Sequence, residues 1–129
     1  MMAACENCSA CRRNCPSGAI SAERFLLYAE RCITYHNEHP SDVPFPAWLD
    51  PSWHNCLLGC MYCQNVCPQN RDFWSWVEEG AEFSEKETGL FLQGVPLEQL
   101  PAATAEKLEW LELTEYADVL PRNLRALLG

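Results

Sequence analysis

A chain of 129 residues carrying nine cysteines and a net charge of −9 is one domain or a tight pair, and its cysteine-bearing region is too loop-rich to fold on apolar burial alone. No apolar run approaches the length of a bilayer span, and no basic patch interleaved with aromatics offers a footprint for nucleic acid. The acid is concentrated late: residues 1–72 hold seven acids against five bases, residues 73–129 eleven against four. The odd cysteine count and an amino terminus without a charged and apolar signal region argue against a secreted disulfide framework, so a cytoplasmic protein is expected.

Cys5, Cys8, Cys11 and Cys15 stand at intervals of two, two and three intervening residues and are followed by Pro16. This is the bacterial four-iron cluster run, in which three thiolates serve one cluster and the fourth serves another. Arg12 and Arg13 lie inside it, either as solvated arginines or as positive charge that favours the reduced cluster and guides an acidic partner. Residues 17–20 read as a turn and a short extended piece, and residues 24–28 are too short and apolar to classify by period. The preferred reading is a hairpin strand ending near Tyr28, then a helix from about Ala29 with Cys32 in its first turn, where the helix dipole favours a thiolate. Pro40, Pro44 and Pro46 then impose an extended connector. Phe45, Trp48 and Trp53 gather around it, either to shield the clusters from water or as plain core. His36, His39 and His54 are read as structural.

The second run, Cys60, Cys63 and Cys67 before Pro68, repeats the last three cysteines and the proline of the first. Crossed ligation assigns Cys5, Cys8, Cys11 and Cys67 to one cluster, and Cys15, Cys60 and Cys63 to the other. The second set is one ligand short. Leu57 occupies the position that would complete the repeat, with Cys56 one residue out of register, so spacing leaves both Cys56 and Cys32 open.

Beyond residue 72 cysteine disappears and the pattern turns helical. Ser84 and Glu87 form a capping box ahead of Leu90, Phe91 and Leu92, and Gly94 sits where a carboxy-terminal cap belongs. Thr104 is read as the cap of a second helix through Leu108 and Leu111, while Thr114 and Pro121 mark two further short pieces ending at Leu128. The fold class expected is α+β: a loop-rich, two-cluster ferredoxin-like module with short strands and helices over residues 1–72. A small, acidic, all-helical subdomain over residues 73–129 packs on it.

Residues 5–72 resemble the double four-iron cluster region of epoxyqueuosine reductase and related reductive dehalogenase-like proteins. The likeness is carried by Cys5, Cys8, Cys11, Cys15-Pro16 and Gly18-Ala19-Ile20, by Arg31-Cys32-Ile33-Thr34-Tyr35, and by Gly59-Cys60, Cys63-Gln64, Cys67-Pro68 and Asn70. The resemblance implies that a lone cysteine between the runs completes the second cluster, which selects Cys32 to join Cys15, Cys60 and Cys63. It also implies a cobalamin-binding catalytic domain ahead of the clusters, outside these residues. Arg122-Asn123-Leu124 is too short a match to add to it.

The leading functional expectation is an electron-transfer module with two 4Fe-4S clusters. It takes electrons from a donor such as flavodoxin or ferredoxin and passes them to a redox centre, a corrinoid, on a preceding domain or partner. No catalytic acid, base or nucleophile is visible, so the chain reads as the redox module of an oxidoreductase rather than a complete active site. Direct contact with nucleic acid or membrane is not expected. The alternative is the carboxy-terminal part of an epoxyqueuosine reductase-like enzyme acting on modified tRNA. A structural zinc module is a lesser alternative, since cysteines two apart also suit zinc.

Overall fold

Closely spaced cysteines and prolines leave the first half of the chain room only for single helical turns. In the computed structural model, which describes residues 3–23 and 26–129, this half contains α1 (Ala10–Asn14), α2 (Ile33–Asn37) and α3 (Tyr62–Asn65). Short 3-10 turns at Ala3–Cys5, Ala29–Arg31, Pro51–Trp53 and Pro68–Phe73 accompany them. The second half contains α4 (Glu85–Leu92), α5 (Ala102–Trp110) and α6 (Leu120–Leu128), with 3-10 turns at Leu97–Gln99 and Thr114–Tyr116.

The expected α+β, ferredoxin-like class is therefore wrong: among the described residues every regular element is helical and there is no strand. A sheet needs two extended runs that exchange backbone bonds. Residues 24 and 25 of the expected strand lie outside the described residues, and the remainder contributes one such bond, from the Tyr28 N–H to the Ala19 carbonyl at 2.8 Å. The N–H groups of Ser17, Ala19 and Ile20 turn to the Cys15 thiol instead. Cys32 differs in detail as well. A 3-10 turn ends at Arg31 and α2 begins at Ile33, so Cys32 is the extended N-cap residue between them rather than part of a first helical turn.

Among the described residues, the buried apolar side chains of the cysteine-rich half are few: Ala19, Ile33 and Leu49. The second half has a proper core, in which Phe91, Leu108 and Leu120 are buried and Phe83, Leu97, Leu100, Leu113 and Leu124 pack around them. Leu57, from the cysteine-rich half, joins that core. Each such side chain stabilises the fold by about 1.5–3 kcal/mol.

Caps fix where the later helices begin and end. Ser84 Oγ accepts the Glu87 N–H at 3.3 Å, and Glu87 Oε2 accepts the Ser84 N–H at 2.8 Å, the reciprocal capping box. At the other end of α4 the Gly94 N–H donates to Phe91 and the Val95 N–H to Leu90, with Gly94 at φ 71°. That left-handed Schellman turn suits glycine. Thr104 is not a cap: α5 starts behind Pro101, and the buried Thr104 hydroxyl donates to Glu87 Oε1 at 3.0 Å. Lys107 Nζ reaches the same carboxylate at 2.8 Å. Lys107 first, then the Ser84 backbone and hydroxyl, hold the Glu87 carboxyl down at about 2.

The start of α6 joins the halves. Arg122 Nη1 donates to the carbonyls of Pro40 and Val43 at 3.0 and 2.7 Å, and Nη2 to those of His36, Asn37 and His39 at 3.1, 3.3 and 2.9 Å. Two of these carbonyls end α2 and three lie in the proline connector, and one guanidinium gathers all five. No helix among the described residues is long and apolar enough to cross a membrane.

Candidate metal centres

The two cysteine runs fold alike. Cys11 lies in α1 and Cys63 in α3; Cys8 and Cys60 precede these helices, and Cys15 and Cys67 follow them in extended conformation before Pro16 and Pro68. The two short helices pack against each other. Asn14 Nδ2 ties them by donating to the Tyr62 carbonyl at 2.7 Å.

Cys5, Cys8 and Cys11 line one open cavity of about 580 Å³, together with Arg12 and the stretch from Ile20 to Glu23. Cys67, grouped with them by the crossed reading, follows α3 as the N-cap of the turn Pro68–Phe73 and is not on the cavity wall. Among the described residues no three His, Cys, Asp or Glu side chains converge closely enough to hold a single metal ion.

The other set is drawn together around α3 and the N-cap of α2. Burial is the main cause that pushes the Cys60 thiol above its ordinary value, and the neighbouring thiols of Cys32, Cys63 and Cys56 add to it. Cys63 is likewise pushed up by burial and then by Cys15 and Cys32. Such crowding is costly for bare thiolates and is relieved when iron takes their charge. Cys32, Cys63 and Cys56 thus bear on Cys60, and Cys15 and Cys32 on Cys63.

Cys15 is tuned in the opposite sense. Burial raises its pKa, but the Ser17 hydroxyl, 3.5 Å away, and the N–H groups of Ala19, Ile20 and Ser17 together outweigh burial and hold the thiol below its ordinary value. Gly18, at φ 66°, allows the turn that aims these donors. Hydrogen bonds to a ligating sulfur stabilise the more negative, reduced state of a cluster. The donor set fits iron-sulfur ligation.

The aromatic and histidine residues contribute to the frame. Phe45 packs on His54 and under Arg122, and Trp48 meets the edge of His36; those two rings serve the joint between the halves. His36 and His39 bind the carbonyls of Glu30 and Tyr35, each at 2.8 Å. His54 is buried with neither ring nitrogen hydrogen-bonded.

Sequence reasoning missed Asn37 and Asn123, which are completely buried. Asn37 clasps Gly59, and Asn123 donates to the carbonyls of Asn37 and Leu57. The one available signal was an Arg-Asn pair on an otherwise apolar face of α6.

The family model for the 4Fe-4S double cluster binding domain matches residues 4–70. The epoxyqueuosine reductase of Gloeobacter violaceus is 29% identical over 132 residues, covering 97% of this chain and 40% of the relative. That of Escherichia coli K12 is 35% identical over 111 residues, 86% of this chain and 27% of the relative. That of Prochlorococcus marinus is 34% identical over 67 residues, 52% of this chain and 21% of the relative. The chain spans two fifths or less of the length of these relatives. No solved structure matches at a significant level.

Proposed function

This chain belongs to the 4Fe-4S double cluster binding domain family, and from that premise we propose that it is the cluster-bearing part of an epoxyqueuosine reductase-like enzyme. The observation that carries this is the pairing of two thiol sets in one fold with relatives that share the name and align along most of the chain. It promotes the reading ranked second from sequence above a free-standing relay.

When bound, two four-iron clusters supply single-electron transfer. Cys5, Cys8, Cys11 and Cys67 hold one, and Cys15, Cys32, Cys60 and Cys63 the other. The backbone donors at Cys15 would favour the reduced form of the second cluster. Clusters held by these cysteines would accept single electrons from a small soluble donor such as flavodoxin or ferredoxin and supply them to a corrinoid carried outside these residues. A cytoplasmic location goes with such donors.

Anaerobic reconstitution with iron and sulfide tests the first part. About eight irons per chain with reduced-state paramagnetic resonance is the expected result, and stoichiometric zinc without iron binding defeats it. Isolation of the protein from its source cells tests the second: corrinoid on the same polypeptide or on a co-purifying one is expected. Its absence from both would return the free-standing relay to first place.

A further inference from the structure

The second thiol set depends on residues from three separate parts of the chain, and one network of buried amides connects those parts. Cys32 is the N-cap of α2 and Asn37 its last residue, so this single rigid turn fixes one relative to the other. Asn37 Nδ2 donates to the Gly59 carbonyl at 2.6 Å, and the Gly59 N–H donates to Asn37 Oδ1 at 3.1 Å. This two-bond clasp does what a strand partner would do, for a residue held at φ 77°. Gly59 adjoins Cys60. The spacing of Cys32 and Cys60 is therefore set through Asn37.

A second layer holds the clasp. Asn123 Nδ2 donates to the Asn37 carbonyl at 2.7 Å and to the Leu57 carbonyl at 2.9 Å, so one amide from α6 grips the end of α2 and the loop before Cys60 together. Its Oδ1 accepts from Arg122 Nε at 3.2 Å. Both amides are completely buried, where losing a hydrogen-bond partner is costly and the geometry is held tightly.

We propose that Asn37 and Asn123 are positioning residues through which α6 sets the register of Cys60 against Cys32, and thereby the assembly and potential of the second cluster. The tail is then part of the redox site rather than a cover on it. The inference rests on the reading of Cys15, Cys32, Cys60 and Cys63 as one ligand set.

The test uses the full chain, reconstituted anaerobically, with Asn37→Ala and Asn123→Ala compared with Glu87→Gln, which weakens the tail away from the network. Cys8→Ala and Cys63→Ala provide reference spectra for loss of each cluster. Both asparagine variants should keep the signal that survives in Cys63→Ala. They should lose up to roughly half the iron, or shift the midpoint potential of the other cluster, Asn37→Ala more than Asn123→Ala. Should Asn37→Ala fail to fold, Asn123→Ala, which leaves the clasp in place, carries the test. Unchanged iron and potentials in the asparagine variants would overturn the proposal, as would equal damage by Glu87→Gln. A wild-type chain without clusters, or loss of different clusters in Cys32→Ala and Cys63→Ala, would instead sink the ligand reading beneath it.

Discussion

The guanidinium of Arg122 lies 4.4 Å from the ring centroid of Phe45 while its edges bind five backbone carbonyls from His36 to Val43. A planar, forked cation is suited to this, and a lysine ammonium is not. Asp118 partly compensates the charge and also accepts the Ser41 N–H at 3.2 Å. Arg122→Lys should therefore be far from conservative. A loss of roughly 2–4 kcal/mol is expected from carbonyls left unsatisfied together with the lost stacking. Urea unfolding of the cluster-loaded protein measures it, and a loss below about 0.5 kcal/mol, the range of an ordinary surface change, would show that the connector holds without this residue.

What the sequence made legible was local chemistry. The cysteine spacing, the Ser84–Glu87 box and the Gly94 turn each confine their information to a few residues, and α4 begins and ends where the box and the turn place it. What it hid was long-range: Asn37 meets Gly59, Asn123 meets Leu57, and Thr104 meets Glu87 across separations that no period or cap encodes. The strand expectation failed for a related reason. Donors at Ser17, Ala19 and Ile20 that a sheet would have used are taken by the Cys15 sulfur, and composition does not show that competition.

Glu112 has φ 57° just past α5, where the Leu113 N–H bonds the Leu108 carbonyl at 2.8 Å. The turn is the same kind as at Gly94, but with a residue that bears a Cβ. Glu112→Gly should raise stability by about 0.5–1 kcal/mol, because the left-handed penalty exceeds the added entropy of the unfolded chain. Thermal melting detects this, and a lowered melting temperature would mean that the glutamate side chain compensates the strain.

His54 links stability to pH. Burial first, then the charge of Arg122, lowers its pKa from the ordinary 6.5, so the folded state keeps the ring neutral. The unfolded chain binds the proton more readily. The His54 contribution is thus fully present above the unfolded value and is lost as pH falls through it toward the folded one, with a slope of at most about 1.4 kcal/mol per pH unit. Urea midpoints between pH 8 and pH 5 should decline in the wild type and decline less in His54→Phe, which also removes two unpaired buried nitrogens. Parallel curves would assign the pH dependence elsewhere.

Removing iron should melt the first half of the chain. Its buried apolar side chains among the described residues, Ala19, Ile33 and Leu49, are too few to hold the loops, so ligation free energy is folding free energy there. Chelation under reducing conditions should abolish the near-ultraviolet dichroism of Trp48 and Trp53 while much of the helical signal from α4, α5 and α6 survives. Retention of both would mean that the joint at Arg122 alone organises the cysteine loops.

The eighth ligand gives the sharpest test, because two thiols compete for it. Cys56 and Cys32 both act on Cys60, and Cys32 and Cys15 act on Cys63. Cys32 thus bears on Cys60 and Cys63 alike, and at the N-cap of α2 its side chain makes no capping hydrogen bond. Cys56 sits in a loop whose neighbour Leu57 is drawn into the apolar core of the second half, which suits a spare, half-buried thiol. Cys56→Ala should keep about eight irons, whereas Cys32→Ala should fall toward four and lose the same paramagnetic signal as Cys63→Ala. Cys67→Ser, although remote in sequence, should damage the cluster of Cys5, Cys8 and Cys11. If Cys56→Ala is the variant that loses iron, ligation follows the uninterrupted ferredoxin spacing instead and Cys32 is the spare thiol.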